Sequence, residues 1–336
     1  MKLRIGMALF AVYVIWGSTY LAISIAVQTI PPFMMAGTRF LIAGSILYLW
    51  QKLRGVATPT RLEWRSAAIV AGFMLVGGNG FLTWAEQYVP SGIAALLVGT
   101  VPLWMALIDA LVIPGAGRTS GLLAFIQRAG KPLVGGPVRK RPNWLSWLGL
   151  LIGFAGIVLL IGPRVRAPGT GSRELIGLGM LILVSLSWSI GSLYSRGARL
   201  PDAPLMGTGM EMLVASLGFA VLATLNGEWG RIEPAAISTR SLLSLGYLIV
   251  FGGLIGFVAY TWLLRNIATP VVAAHAYVNP MIAILLGSLI VQEPLTPRIM
   301  LSAAVIIGSV VLISLARSLP ARRSEKLASE PAPGND

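Results

Sequence analysis

Two charged residues, Arg39 and Glu211, stand inside long apolar stretches of this chain, and its chemistry has to be sought around them first. An arginine at the centre of a membrane helix costs about 2.5–3.5 kcal/mol on insertion scales, so Arg39 is expected to face protein. Glu211 carries the opposite charge, which suggests an electrostatic or structural pair, or two poles of one polar interior. Two readings stay open for both: a buried brace, paired or snorkelling to an interface, and direct work on a substrate or a proton. His275 is the single histidine and the one side chain whose unperturbed pKa lies near neutrality. It reads as a packed residue, with a proton-linked role as the alternative.

Trp16, Thr19 and Tyr20 lie midway along the first apolar stretch, too deep for an interfacial aromatic belt. Flat apolar area beside hydroxyls suits a cavity for small amphiphiles, whereas Ser18 among them suits close helix packing. Trp188 and Tyr194 are their counterparts in the second half. Asn79, Tyr277 and Asn279 offer amide and phenol groups for polar anchoring, and with His275 they complete the candidate substrate contacts. Trp84 and Glu86 end the third stretch, where Glu86 reads as part of an outer gate or as an ordinary interfacial carboxylate. Pro102 and Pro280 sit inside the fourth and ninth stretches. Each lacks an N–H and clashes with the carbonyl four residues back, Val98 or Ala276, so each is expected to hinge its helix. The freed carbonyls either bind ligand or are satisfied by neighbouring helices and water. Asp109 and Glu293 read as structural groups holding helix ends.

The same inventory closes other routes. With no cysteine there is no disulfide framework, zinc ribbon, iron–sulfur cluster or thiol nucleophile. One histidine cannot build a multi-histidine metal site, and no HExxH, P-loop or Ser-His-Asp set with a deep acid occurs. Gly177-Leu178-Gly179 follows no strand and carries no phosphate-loop meaning. No catalytic residue, metal site or cofactor is expected. The net charge of +14 comes from basic residues scattered over connecting segments, which argues against nucleic acid as a partner.

The elements that position these residues are membrane helices. The 336 residues are 56% hydrophobic and 11% charged, with a mean hydropathy of +0.79, whereas soluble domains carry about 25% charged residues. Charge-free or nearly charge-free stretches fall at 5–27, 33–51, 66–85, 91–112, 144–162, 175–195, 205–226, 241–264, 270–290 and 299–316. A helix crosses a bilayer in about 20 residues, so ten spans are expected. The first run is too long for a signal peptide and reads as a retained anchor. Placing the N-terminus inside puts 19 Lys and Arg in inner segments and 6 in outer ones, which assigns both termini to the cytoplasm. The arginines after span 5 are a local exception.

An internal duplication appears when the halves are slid together. At an offset of 172, Trp16 meets Trp188, Pro32 meets Pro204 and Arg39 meets Glu211; at 178, Trp84 meets Trp262 and Pro102 meets Pro280. Five spans per repeat invert the second relative to the first. Residues 1–162 form the first five-helix repeat and 163–316 the second, with a polar cytoplasmic tail at 317–336. Aligning Gly156 with Gly308 leaves 26 extra residues in the first half, placed in a basic, Gly-rich cytoplasmic insertion at about 113–143. Inverted repeats pack around a midplane site and rock to expose it alternately.

With these motifs in order, the sequence resembles the drug/metabolite transporter superfamily in its ten-span EamA-type exporter branch. The resemblance rests on Trp16-Gly17-Ser18-Thr19-Tyr20, the stretch from Pro32 to Arg39, Asn79-Gly80 with Glu86, Pro90-Ser91-Gly92-Ile93-Ala94-Ala95 with Val101-Pro102, Tyr277-Val278-Asn279-Pro280 and Gln292-Glu293-Pro294-Leu295. It implies an all-α membrane protein of ten transmembrane helices, a cavity lined by the first four helices of each repeat, and export of small metabolites. The insertion at 113–143 departs from the family's short basic turn. The expected function is an inner-membrane secondary transporter moving amino acids or amphiphilic drug-like compounds outward by alternating access, with proton coupling open and a monomer or homodimer as its assembly. Its expected partners are that small-molecule substrate and membrane lipid. An integral-membrane lipid-modifying enzyme, or a lipid flippase or channel on the same scaffold, is the alternative.

Overall fold

A computed structural model of the chain describes residues 2–111, 144–166, 171–267, 271–272 and 274–318. No strand occurs among them. Nine helices are long and apolar enough to cross a membrane: α1 Leu3–Ala26, α2 Pro32–Leu53, α3 Arg61–Ala85, α4 Ser91–Ile108, α5 Trp144–Val165, α6 Ser172–Ser195, α7 Pro204–Leu225, α8 Thr239–Asn266 and α10 Pro297–Ala316. The tenth, α9 His275–Val291, is shorter than the stretch read from sequence. The insertion at 113–143 and the tail at 319–336 lie outside the described residues.

Local sequence sets the helix ends. Pro32 and Pro204 open α2 and α7, where a missing N–H costs no helical hydrogen bond. The start of α3 lies at Arg61, earlier than apolarity alone indicated, because Thr60 and Glu63 form a capping box. Glu63 N donates to Thr60 Oγ1 at 3.3 Å and Thr60 N to Glu63 Oε2 at 2.6 Å. Gly227, at φ +66, turns the chain out of α7.

Packing follows the duplication. The equivalent helices α2 and α7 pair with each other, as do α5 and α10, while α1 packs on α9 and α8 as α6 packs on α4 and α3. The α2–α7 seam is tight because its residues are small. A Cβ on Gly44 would lie 2.7 Å from Met212 Cβ, and one on Gly209 would lie 2.9 Å from Tyr48 N. Phe40 and Phe219 stack beside it at 5.7 Å.

Regular helix is interrupted where the repeats meet. Wide, π-helical turns occupy Ala11–Ile15 in α1, Gly72–Gly80 in α3 and Leu248–Ile255 in α8; the latter two are repeat mates with paired glycines. Such turns concentrate at functional sites. The hinge expected at Pro102 is a full break, with Ser91–Val98 ending before Gly99 and a new helix starting at Val101. Pro102 therefore sits in a first helical turn, where its ring is tolerated. Pro280 lies early in α9, and its Cγ is 2.9 Å from where a Gly99 Cβ would be, so the two proline segments touch.

Candidate functional site

Between these interruptions the candidate residues fall into two layers. The inner layer is aromatic. Trp16 projects from the end of the wide turn in α1, and its Nε1 donates to the Gly252 carbonyl at 3.2 Å. Its ring lies 5.2 Å from Phe257, 5.1 Å from Tyr260 and 5.4 Å from His275. Gly256 is required here, since a Cβ on it would come within 2.2 Å of Trp16 Nε1. His275 Nδ1 pairs with the Val272 carbonyl at 2.9 Å and its ring meets Tyr260 edge-on, so it is packed and bonded within the cluster. Tyr13, on the same turn of α1, donates to the Val271 carbonyl.

The outer layer is charged. Arg39 is 6% exposed and rests its guanidinium over Phe40 at 4.9 Å. A Cβ on Gly252 would lie 3.2 Å from Arg39 Nη2 and 3.0 Å from Thr19 Cγ2, so the bare glycine gives both side chains their places. Thr19 Oγ1 donates back to the Trp16 carbonyl. Neither an ion pair nor a hydrogen bond joins Arg39 to Glu211. Arg39 faces Gly252 of α8. The acid within electrostatic range of Arg39 is Glu86, which is also within range of the half-buried Tyr20.

Glu86 is 5% exposed, buried in protein just beyond the end of α3. The 86–90 connection folds inward against α6, where Val89 Cγ2 is 2.9 Å from a Cβ placed on Gly177. Trp84 packs beside it, 5.0 Å from the Tyr88 ring.

Other candidates are engaged with protein. With its amide turned to donate, Asn279 reaches the His275 and Tyr13 carbonyls, each at 3.0 Å. The Tyr277 hydroxyl bonds to Ser314 in α10. Ser18 donates to the Ile15 carbonyl at 2.7 Å and bonds to the Tyr247 hydroxyl at 2.6 Å. Asn79 lies in the wide turn of α3, where its backbone carbonyl accepts from the Thr83 hydroxyl, and Trp188 lies against Gly78. Tyr194 is half-buried near the other end of α6. The broken α4 is served from α6: Ser185 Oγ donates to the Leu97 carbonyl at 2.8 Å and Ser189 Oγ to the Val101 carbonyl at 3.0 Å. Neighbouring side chains thus supply donors at the break.

Sequence reasoning missed Phe257, Tyr260 and Gly252. A signal was present, because the aromatics at 257 and 260 lie on one face of a helix three residues apart; their convergence on Trp16 needs the tertiary fold. Among the described residues, no group of three or more His, Asp or Glu could hold a metal ion.

The EamA-like transporter family model matches residues 4–116 and 175–315. The inner membrane transporter YedA of Escherichia coli K12 is 38% identical over 313 residues, covering 93% of this chain and 91% of the relative. A WAT1-related chloroplastic protein of Arabidopsis thaliana is 24% identical, covering 91% and 68%, and the transporter YoaV of Bacillus subtilis is 22% identical, covering 90% and 94%. A solved crystal structure shares the fold with a TM-score of 0.58 at 19% identity, covering 95% of this chain and all of that one.

Proposed function

We propose, from the premise that this chain belongs to the EamA-like transporter family and is a multi-pass inner-membrane transporter, that it exports small organic metabolites by alternating access. The observation that carries this reading is the joining of an aromatic cluster around Trp16 to a buried charged layer containing Arg39 and Glu86. Stacking surface beside a buried guanidinium and a buried carboxyl suits an amphiphile with polar ends, such as an amino acid or a drug-like compound. The touching proline segments of α4 and α9 and the wide turns of α3 and α8 supply places where helices can flex without breaking a continuous hydrogen-bond ladder. No nucleotide-binding motif is present, so a solute or ion gradient supplies the energy.

The test is a thermal-shift screen of purified protein against amino acids, nucleosides and amphiphilic cations, followed by efflux from proteoliposomes loaded with each hit. At least one compound is expected to stabilise the protein and to leave the vesicles, and Trp16→Ala is expected to weaken binding about tenfold or more. Absence of both effects across the panel would sink the export reading. Turnover of lipid by the purified protein would favour a membrane enzyme.

A further inference from the structure

The export reading uses Glu86 as one polar end of the site and says nothing of its protonation. Both of its oxygens are buried without a hydrogen-bond partner, and so is Nε of Arg39. A carboxylate stripped of water and given no donor is strongly disfavoured as an anion. Its neighbour Glu293 shows what a provided carboxylate looks like: it accepts from Ser91 N at 2.7 Å, Ser91 Oγ at 2.8 Å and Gly92 N at 3.0 Å. Glu228, also at this end of the bundle, accepts from Met34 N at 2.9 Å and Asn226 Nδ2 at 2.9 Å.

The surroundings of Glu86 are charged on several sides. Arg39 acts on it from α2, Glu293 from the connection after α9, and the Tyr20 phenol lies within its field from α1. On α6, packed against the end of α3, the first turn carries Arg173 and Glu174; Arg173 sits over the Tyr88 ring at 5.7 Å, and Glu174 is ion-paired with Arg164. The cation that acts on Glu86 is therefore Arg39, which leans on Phe40 and Gly252 and forms no ion pair with it.

We propose that Glu86 is a proton-binding site whose charge is tied to the opening of this end of the bundle. The carboxyl holds a proton while it is buried as here, and gives that proton to water when the end opens and solvates it or brings Arg39 into contact. The place of this step in a transport cycle rests on the export reading; the site itself does not.

Infrared difference spectroscopy of the full-length protein in lipid, titrated with pH, tests the site without any substrate. A buried protonated-carboxyl band is expected in the wild type, bleaching as pH rises. It should be missing in Glu86→Gln and retained, shifted, in Glu86→Asp. Glu86→Gln mimics the protonated form, so it is expected to fold and to lose the decline in thermal stability that the wild type shows as pH rises through the titration. Opening is read separately by maleimide labelling of Gln87→Cys in this otherwise cysteine-free chain. Labelling should rise with pH several-fold more steeply in the Glu86 background than with Glu86→Gln, which corrects for the thiol's own titration. A band that persists in Glu86→Gln and disappears in Glu211→Gln, no band in the wild type, or identical labelling slopes would each overturn the proposal. Failed efflux with these three results intact would remove the export reading and leave the site standing.

Discussion

Arg39 and Glu211 occupy equivalent places in the two repeats, yet their neighbours decide what each does. Arg39 is turned toward Gly252 and lies in the field of Glu86, while no ion pair links it to Glu211. Above the pH at which Glu86 gives up its proton, removing Arg39 leaves that carboxylate without a counter-charge, so Arg39→Ala is expected to destabilise the protein there by about 3 kcal/mol. Adding Glu86→Gln removes the stranded acid, and the double variant should be less destabilised than the sum of the singles by about 1–3 kcal/mol. Arg39→Ala with Glu211→Gln should instead add to within about 0.5 kcal/mol. Unfolding of the three single and two double variants in detergent reads all three values. Coupling between Arg39 and Glu211 as large as that with Glu86 would restore the pairing inferred from their symmetry. The sequence made both charges visible because each interrupts an apolar run. Which charge faces which was hidden, since it depends on the rotation of α2 against α8 and on a glycine that leaves room for a guanidinium.

At the scale of elements, the two ends of the bundle are held by different forces. At the end carrying the 27–31, 86–90, 226–238 and 292–296 connections, carboxylates cap helix N-termini: Glu228 on α2 and Glu293 on α4. These are the first-turn amides that a helix leaves unpaired. The repeat mate of Glu228 at an offset of 172 is Val56, which packs in an apolar cluster with Ala67 and Met206. One end is thus clasped by charge and the equivalent site at the other by apolar contact. Glu293→Gln should cost about 2 kcal/mol, because a hydrogen bond to a charged group contributes about 1.5–3 kcal/mol, and Glu228→Gln should cost a similar amount. Either change should raise solvent labelling at this end in preference to the other, and equal labelling of both ends would refute the asymmetry. Helix number, order and duplication were legible from apolar runs and prolines. The wide turns and the break at Gly99 were not, because π-helical and α-helical turns carry the same apolar composition.

At the scale of the molecule, the inverted duplication predicts what the connection between α4 and α5 is for. In the second repeat α9 is joined to α10 by the five residues 292–296. In the first, described structure stops at Leu111 and resumes at Trp144. The packing on either side does not call for the extra length: a Cβ on Gly153 of α5 would sit 2.4 Å from Leu103 Cδ1 of α4, and one on Gly149 would sit 2.6 Å from Ile313 of α10. Helices seated against one another so closely need only a short link. Removing 26 residues from 113–143 would leave a connection about as long as its repeat mate, so the shortened chain is expected to insert, to keep its thermal stability to within about 1 kcal/mol, and to export at the unaltered rate. The six basic residues of that segment also weigh on orientation through the retention of Lys and Arg on the cytoplasmic side. A compartment-sensitive reporter placed after residue 130 should therefore report cytoplasm, as should one after the C-terminus. Periplasmic activity at either site would invert the assignment of ends on which the direction of transport rests. A shortened protein that inserts and folds but no longer exports would show that the segment gates the transporter from its cytoplasmic side.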